Sequence, residues 1–175
     1  MSDTRLSSRG FTLIEILMVI SIIGILASVI MPTLNEARDE AMAASTIVEL
    51  GSIRSAMNLL YDDTGNYSNG ATSYCRTTIP SNNEVDLSSA DAGLTGNGLA
   101  WAEWEGPYMS DVTDAWGTPY FLDEDYQCFA STTGCEGHAD VSAVSSVIVS
   151  CGPNAAVSGG SCDYDTDNIV YRLCD

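Results

Sequence analysis

The chain has 175 residues, room for one modest domain plus an appendage, and its 45% hydrophobic content is ordinary for a protein with a core. Its charge is not ordinary: 24 acids face six bases, every one an arginine, for a formal net charge of −18. Such a surface repels nucleic acid and anionic lipid headgroups, which argues against a phosphate-binding role. It reads as the solvated coat of an exported protein, with some acids free to take a divalent cation.

In chain order, residues 11–31 (FTLIEILMVISIIGILASVIM) form one apolar run interrupted by Glu15. About 21 residues at ~1.5 Å each span a hydrocarbon layer of ~30 Å. Arg5 and Arg9 precede the run, and Pro32 and a charged stretch at 35–40 follow it. Arginine on the short side predicts a cytoplasmic N-terminus and an exported remainder. An ordinary signal peptide would be cut beyond the run, where Ala27-Ser28-Val29 is a weak site and the helical pattern continues past it. A plain signal anchor leaves Glu15 unexplained, since an acid at the centre of a span costs ~2.5–3.5 kcal/mol. An ionisable group in such a place is by default functional.

Ser8-Arg9-Gly10-Phe11-Thr12-Leu13-Ile14-Glu15 resembles the processing site of type IV pilins and of type II secretion pseudopilins. The resemblance implies that a prepilin peptidase cuts after Gly10, removes residues 1–10 and methylates the new N-terminal Phe11. It implies that Glu15 serves assembly by pairing with the N-terminus of Phe11 in a neighbouring copy. Pro32 matches a helix-bending proline of that family.

Residues 33–63 keep a helical pattern, with no proline after Pro32. Ala37, Ala41, Ala44 and Val48 line one face; Ile47, Leu50, Ile53, Met57 and Leu60 line another. The two stripes predict two contacts, small residues toward neighbouring subunits and large ones onto the chain's own sheet; one broad core face is the alternative. Joined to the apolar run, this is one helix of about fifty residues, ~75–80 Å long, with a bend expected at Pro32.

Asp62-Asp63-Thr64-Gly65-Asn66 is turn chemistry and ends the helix. The Ser-, Asn- and Gly-rich stretch to residue 98 reads as a surface connection with one short element near 85–87. Tyr120-Phe121-Leu122, residues 145–151 and residues 168–174 read as strands. The expected class is α+β, a long N-terminal helix packed on a small antiparallel sheet. Four parts are expected: a leader at 1–10, a membrane and assembly half-helix at 11–32, a head-packing half-helix at 33–64, and a globular head at 65–175.

Cys75, Cys128, Cys135, Cys151, Cys162 and Cys174 all lie beyond the apolar run, none in a C-x-x-C pair. An even count in an exported chain predicts up to three disulfides, among fifteen formal pairings. The expected set is Cys128–Cys135, Cys151–Cys162 and Cys75–Cys174. His138 is the only histidine, so a triad or a multi-histidine metal site has no support and no enzyme is expected. Trp101 and Trp104 are read as packing residues rather than a ligand platform.

Gly106-Pro107-Tyr108-Met109, residues 114–120 (DAWGTPY), and residues 150–154 with Gly159-Gly160 and residues 163–168 resemble stretches of the major pseudopilin. The sequence departs from that pattern at Asn154, where Asp is usual, at Ala115, where Pro is usual, and in its six cysteines. The resemblance implies calcium at the C-terminal loop; a disulfide in place of the ion as the loop's staple is the alternative. Asp163, Asp165, Asp167 and Asn168 there supply the oxygens that calcium prefers. It implies a filament of copies of the chain in a type II secretion system, with an inner-membrane assembly platform and minor pseudopilins as partners. A type IV pilus subunit for adhesion, motility or DNA uptake, and a minor pilin with a ligand-binding head, are the alternatives. The single pass is expected in the inner membrane, with the head periplasmic before incorporation into a periplasmic or extracellular filament.

Overall fold

The computed structural model describes residues 10–70, 73, 84–128, 141–158, 161–162 and 164–173. The chain divides into two compact units, Met1–Glu40 and Ala41–Asp175, and one helix, α1 (Leu13–Thr64), contributes to both.

In the first unit every large apolar side chain of α1 is exposed, from 47% at Ile22 to 78% at Leu13. The best 18-residue window has a mean hydropathy of 2.8. A helix apolar on all sides buries nothing against its own unit, and by length and composition it is able to cross a membrane. The small polar side chains satisfy themselves: the hydroxyls of Ser21, Ser28 and Thr33 donate to the carbonyls of Leu17, Ile25 and Ile30 at 2.7, 2.8 and 2.8 Å. Such back-bonding is what a medium without water requires. Pro32 lies inside the assigned helix.

In the second unit, α1 buries Thr46, Leu50, Ile53, Ala56, Met57 and Leu60, which recur at steps of three and four. Ile47, expected on this face, is instead 56% exposed, because Thr46 stands in line with Leu50, Ile53 and Met57. Val48, at 70% exposure, and the exposed Ala41 and Ala44 lie off the buried face, so the two stripes are distinct. The helix ends at Gly65, whose N–H donates to the Tyr61 carbonyl at 2.8 Å.

A four-stranded antiparallel sheet covers that helical face. In spatial order it contains β1 (Val85–Asp86), β2 (Phe121–Cys128), β3 (Val141–Ser150) and β6 (Ile169–Arg172). β4 (Val157–Ser158) and β5 (Ser161–Cys162) form a separate hairpin. Alternation sorts the strands: Leu122 and Ile148 join the helix in the main core, whereas Phe121, Val147 and Val149 form a second cluster. β2 runs well beyond the expected three residues, with register shifts between Asp123 and Tyr126 and between Tyr126 and Cys128. The first shift places Tyr126 on the same face as Phe121.

One expectation is corrected outright. The stretch before residue 98 is not merely a surface connection, since Leu87, Ala92 and Leu94 are fully buried in the main core. Their polar neighbours hide three widely spaced apolar residues from any periodicity test. Trp101 and Trp104 pack against the same core, and the Trp104 indole donates to the Gly93 carbonyl at 2.7 Å.

Candidate functional site

Two regions hold the sequence-derived site residues. At the first, Gly10, Phe11 and Thr12 precede the helix, and Thr12 acts as its cap. The Thr12 N–H and hydroxyl both donate to the Glu15 carboxylate, at 2.8 and 2.6 Å, and the Glu15 N–H donates back to the Thr12 hydroxyl at 3.3 Å. This reciprocal capping box satisfies otherwise orphaned donors of the first turn. It leaves Gly10–Phe11 outside the helix, with Phe11 85% exposed. A side chain on Gly10 would meet no atom of the chain within 4 Å.

The second region is the C-terminal loop. Asp165 and Asp167 are brought together by a residue absent from the expected ligand set: the Asn154 amide donates to Asp165 at 2.5 Å and to Asp167 at 3.0 Å. The Asn154 backbone N–H also donates to Asp167, at 3.1 Å, while its side-chain oxygen accepts from the Ala156 N–H at 2.8 Å. The Gly152 backbone lies against Asp167, where a Cβ would stand 2.2 Å from the carbonyl oxygen. Asn168 is buried just before β6; Asp163 lies outside the described residues. The hydrogen bond from Asp167 holds the Asp165 carboxyl below the ordinary range, while burial and then that same bond raise Asp167.

Among the described residues no three acids, histidines or cysteines converge on a common point. The two carboxylates meet at the Asn154 amide nitrogen, while the Asn154 amide oxygen is turned to the Ala156 N–H.

The expected Cys151–Cys162 disulfide is present, closing the turn at the end of β3 onto β5. Cys75, Cys135 and Cys174, and the side chain of Cys128, lie outside the described residues, as does His138. A turn at residues 114–118 steadies the same end of the sheet. Asp114 accepts the N–H groups of Trp116 and Thr118 at 3.1 and 2.9 Å through one oxygen, and the Ser150 hydroxyl at 2.6 Å through the other.

Fold and motif together define an α+β, pilin-like chain with one helix long and apolar enough to cross a membrane among its described residues. Residues 5–31 match the family profile described as the prokaryotic N-terminal methylation motif. The chain is similar to type II secretion system core protein G of Klebsiella michiganensis, 40% identical over 63 residues, or 36% of this chain and 44% of that relative. It is similar to the protein of that name from Pectobacterium carotovorum, 37% identical over 59 residues, 34% of this chain and 38% of the relative. The Escherichia coli K12 protein of that name is 29% identical over 114 residues, 65% of this chain and 70% of the relative. The chain thus spans less than half the length of the first two relatives. No solved structure gives a significant match. Motif, helix and relatives support the pilin and pseudopilin family.

Proposed function

We propose that the chain is a structural subunit of a helical filament, the major-pseudopilin-like component of a type II secretion system, and not an enzyme. One observation carries the proposal: the apolar half of α1 begins at the processing motif and has no buried residue of its own. Copies of that helix supply the missing partners when they pack together. Before assembly the membrane fills the same role, with the N-terminus in the cytoplasm and the head in the periplasm.

Three residues have separate tasks. Gly10 has open space around it in this chain, so the need for a glycine arises in the cleft of the prepilin peptidase. Cutting there frees the amine of Phe11 for methylation. Glu15, held by Thr12 in the single chain, exchanges that partner for the positive N-terminus of an adjacent copy. A desolvated pair of this kind is favourable only when both members are present. The inner-membrane assembly platform and the minor pseudopilins are the remaining partners of this reading.

Mass spectrometry of the exported protein tests it, with a mature chain starting at N-methyl-Phe11 as the expected result. A start at Ser28 or Val29 would sink the pilin reading. Glu15→Leu should insert and be cleaved yet yield no filaments; normal filaments from that variant would remove the assembly role of the acid.

We further propose that Asp165 and Asp167, with Asp163 and Asn168 next to them in sequence, hold a calcium ion, which would displace the Asn154 amide nitrogen from between the two carboxylates. Their oxygen donors and crowded charge support the reading.

A further inference from the structure

One side chain of the C-terminal loop, the Asn154 amide, already stands between the two acids. Its nitrogen has two protons, and each goes to a different carboxylate, Asp165 at 2.5 Å and Asp167 at 3.0 Å. No lysine or arginine lies between Arg76 and Arg172 in sequence to take that place. The amide is held one way round. Its oxygen accepts from the Ala156 N–H at 2.8 Å, and a flipped amide would set two donors against each other.

The remaining carboxylate oxygens are served by the backbone. The Asn154 N–H donates to Asp167 at 3.1 Å, and the Asp167 N–H donates to Asp165 at 3.3 Å. All four oxygens of the pair thus accept a hydrogen bond from within the chain, and one side chain supplies two of the four donors.

We propose that Asn154 is an internal competitor of calcium. Its amide keeps Asp165 and Asp167 together when no ion is present, and it raises the calcium concentration at which the loop fills. Asn154 thereby sets the threshold of the calcium site proposed above, on which this role depends.

The competition has a definite size. An ion gains the two oxygens only after the amide gives them up, so apparent affinity falls by the fraction of chains in which it has let go. Asn154 is exposed, and water offsets part of each bond. A factor of about ten, the strength of one charge-assisted hydrogen bond, is therefore expected.

The frame around the pair does not need the amide. A Cβ on Gly152 would stand 2.2 Å from the Asp167 carbonyl oxygen, so the turn lies directly against that residue. The Asn154 N–H belongs to the backbone, and the Cys151–Cys162 disulfide is independent of both. Asn154→Ala should then remove the competitor and leave the carboxylates in place.

Calorimetric calcium titration and thermal unfolding, both on the full chain in detergent, test this. In chelator, Asn154→Ala should melt below the wild type. In saturating calcium the gap should close, because the ion has replaced the amide. By the same thermodynamic cycle, Asn154→Ala should bind calcium about tenfold more tightly than the wild type. Asn154→Asp keeps an acceptor for the Ala156 N–H but has no donor, so it should lose most in chelator and gain most from calcium. An Asn154→Ala deficit that persists in saturating calcium, or equal calcium affinity in that variant and the wild type, would overturn the competition alone. No calcium binding by the wild type, Asn154→Ala or Asn154→Asp would remove the calcium reading and the competition together.

Discussion

The phenol of Tyr120 donates to the Glu49 carboxylate at 2.6 Å, joining residues 71 apart in sequence. Tyr120 is 1% exposed on the way into β2, and Glu49 lies on α1 beside the buried Leu50. Burial, then the bond to Glu49, raises the phenol well above its ordinary range, so the proton stays on the tyrosine. Two more phenols meet the same stretch of helix: Tyr108 donates to Asp63 at 2.5 Å, and Tyr171 accepts from Arg54 at 3.3 Å. These pins set where the sheet sits along a helix whose apolar contacts alone would tolerate sliding.

Removing one pin should therefore be measurable without disturbing the core. Tyr120→Phe keeps the ring and deletes the donor, and Glu49 can rehydrate, so the expected loss is about 1 kcal/mol in urea unfolding of the full chain in detergent. Leu60→Ala, which opens a cavity at a fully buried site, should cost about 2–5 kcal/mol. Equal losses from the two variants would contradict the division of labour between pin and core.

Asp114 closes the turn at 114–118 with two hydrogen bonds and joins it to β3 with a third, from the Ser150 hydroxyl. Asp114→Ala leaves the buried Ser150 hydroxyl and the Thr118 N–H without this acceptor. We expect a loss of about 2–4 kcal/mol, summing an unsatisfied buried donor and the lost charged bonds. Ser150→Ala removes one bond to Asp114 and one accepted from the Gly152 N–H but leaves both turn bonds of Asp114 in place, so it should cost less, about 1–2 kcal/mol. A neutral Asp114→Ala would mean that the turn holds itself.

Two glycines separate backbone strain from steric conflict. Gly117 and Gly152 have φ of 87° and 71°, but a Cβ at Gly117 meets nothing, while at Gly152 it would stand 2.2 Å from the Asp167 carbonyl oxygen. Gly117→Ala should cost about 1 kcal/mol, the usual penalty of a left-handed residue. Gly152→Ala should cost clearly more and loosen the loop carrying Asp165 and Asp167. Similar melting points for the two variants would place the loop further from Gly152 than the structure has it.

Calcium gives a prediction for that loop. An ion bound only to the folded state stabilises it by about 2.7 kcal/mol at a hundredfold excess over its Kd. The thermal midpoint should thus rise with calcium, fall back with chelator, and become indifferent to both in Asp165→Ala. No response at millimolar calcium would leave the Cys151–Cys162 disulfide as the loop's only staple among the described residues.

Much of the first unit was legible as sequence because its determinants are local. A run of apolar residues, a glycine ahead of it and an acid inside it suffice to mark a helix long and apolar enough to cross a membrane and the methylation motif at its start. The buried stripe through Leu50, Ile53, Met57 and Leu60 could likewise be read from its period. Ile47 misled because hydrophobicity alone cannot tell a core position from one next to it, and Thr46 has the core position.

What the sequence determined by itself, then, is everything that repeats along the chain or lies within one turn: the helix, its apolar half, the processing motif and the three strand segments. Only the tertiary structure decided which distant polar groups meet. Asn154 between Asp165 and Asp167, Glu49 under Tyr120, and Asp123 beneath Tyr164 are separated by 11 to 71 residues. The physical reason is that a hydrogen bond needs only a donor and an acceptor at the right distance, and polar side chains carry no period that names their partner. Burial then decides what those meetings do: in the apolar cluster of Phe121, Tyr126, Val147 and Val149, it pushes the Asp123 carboxyl up to about 7.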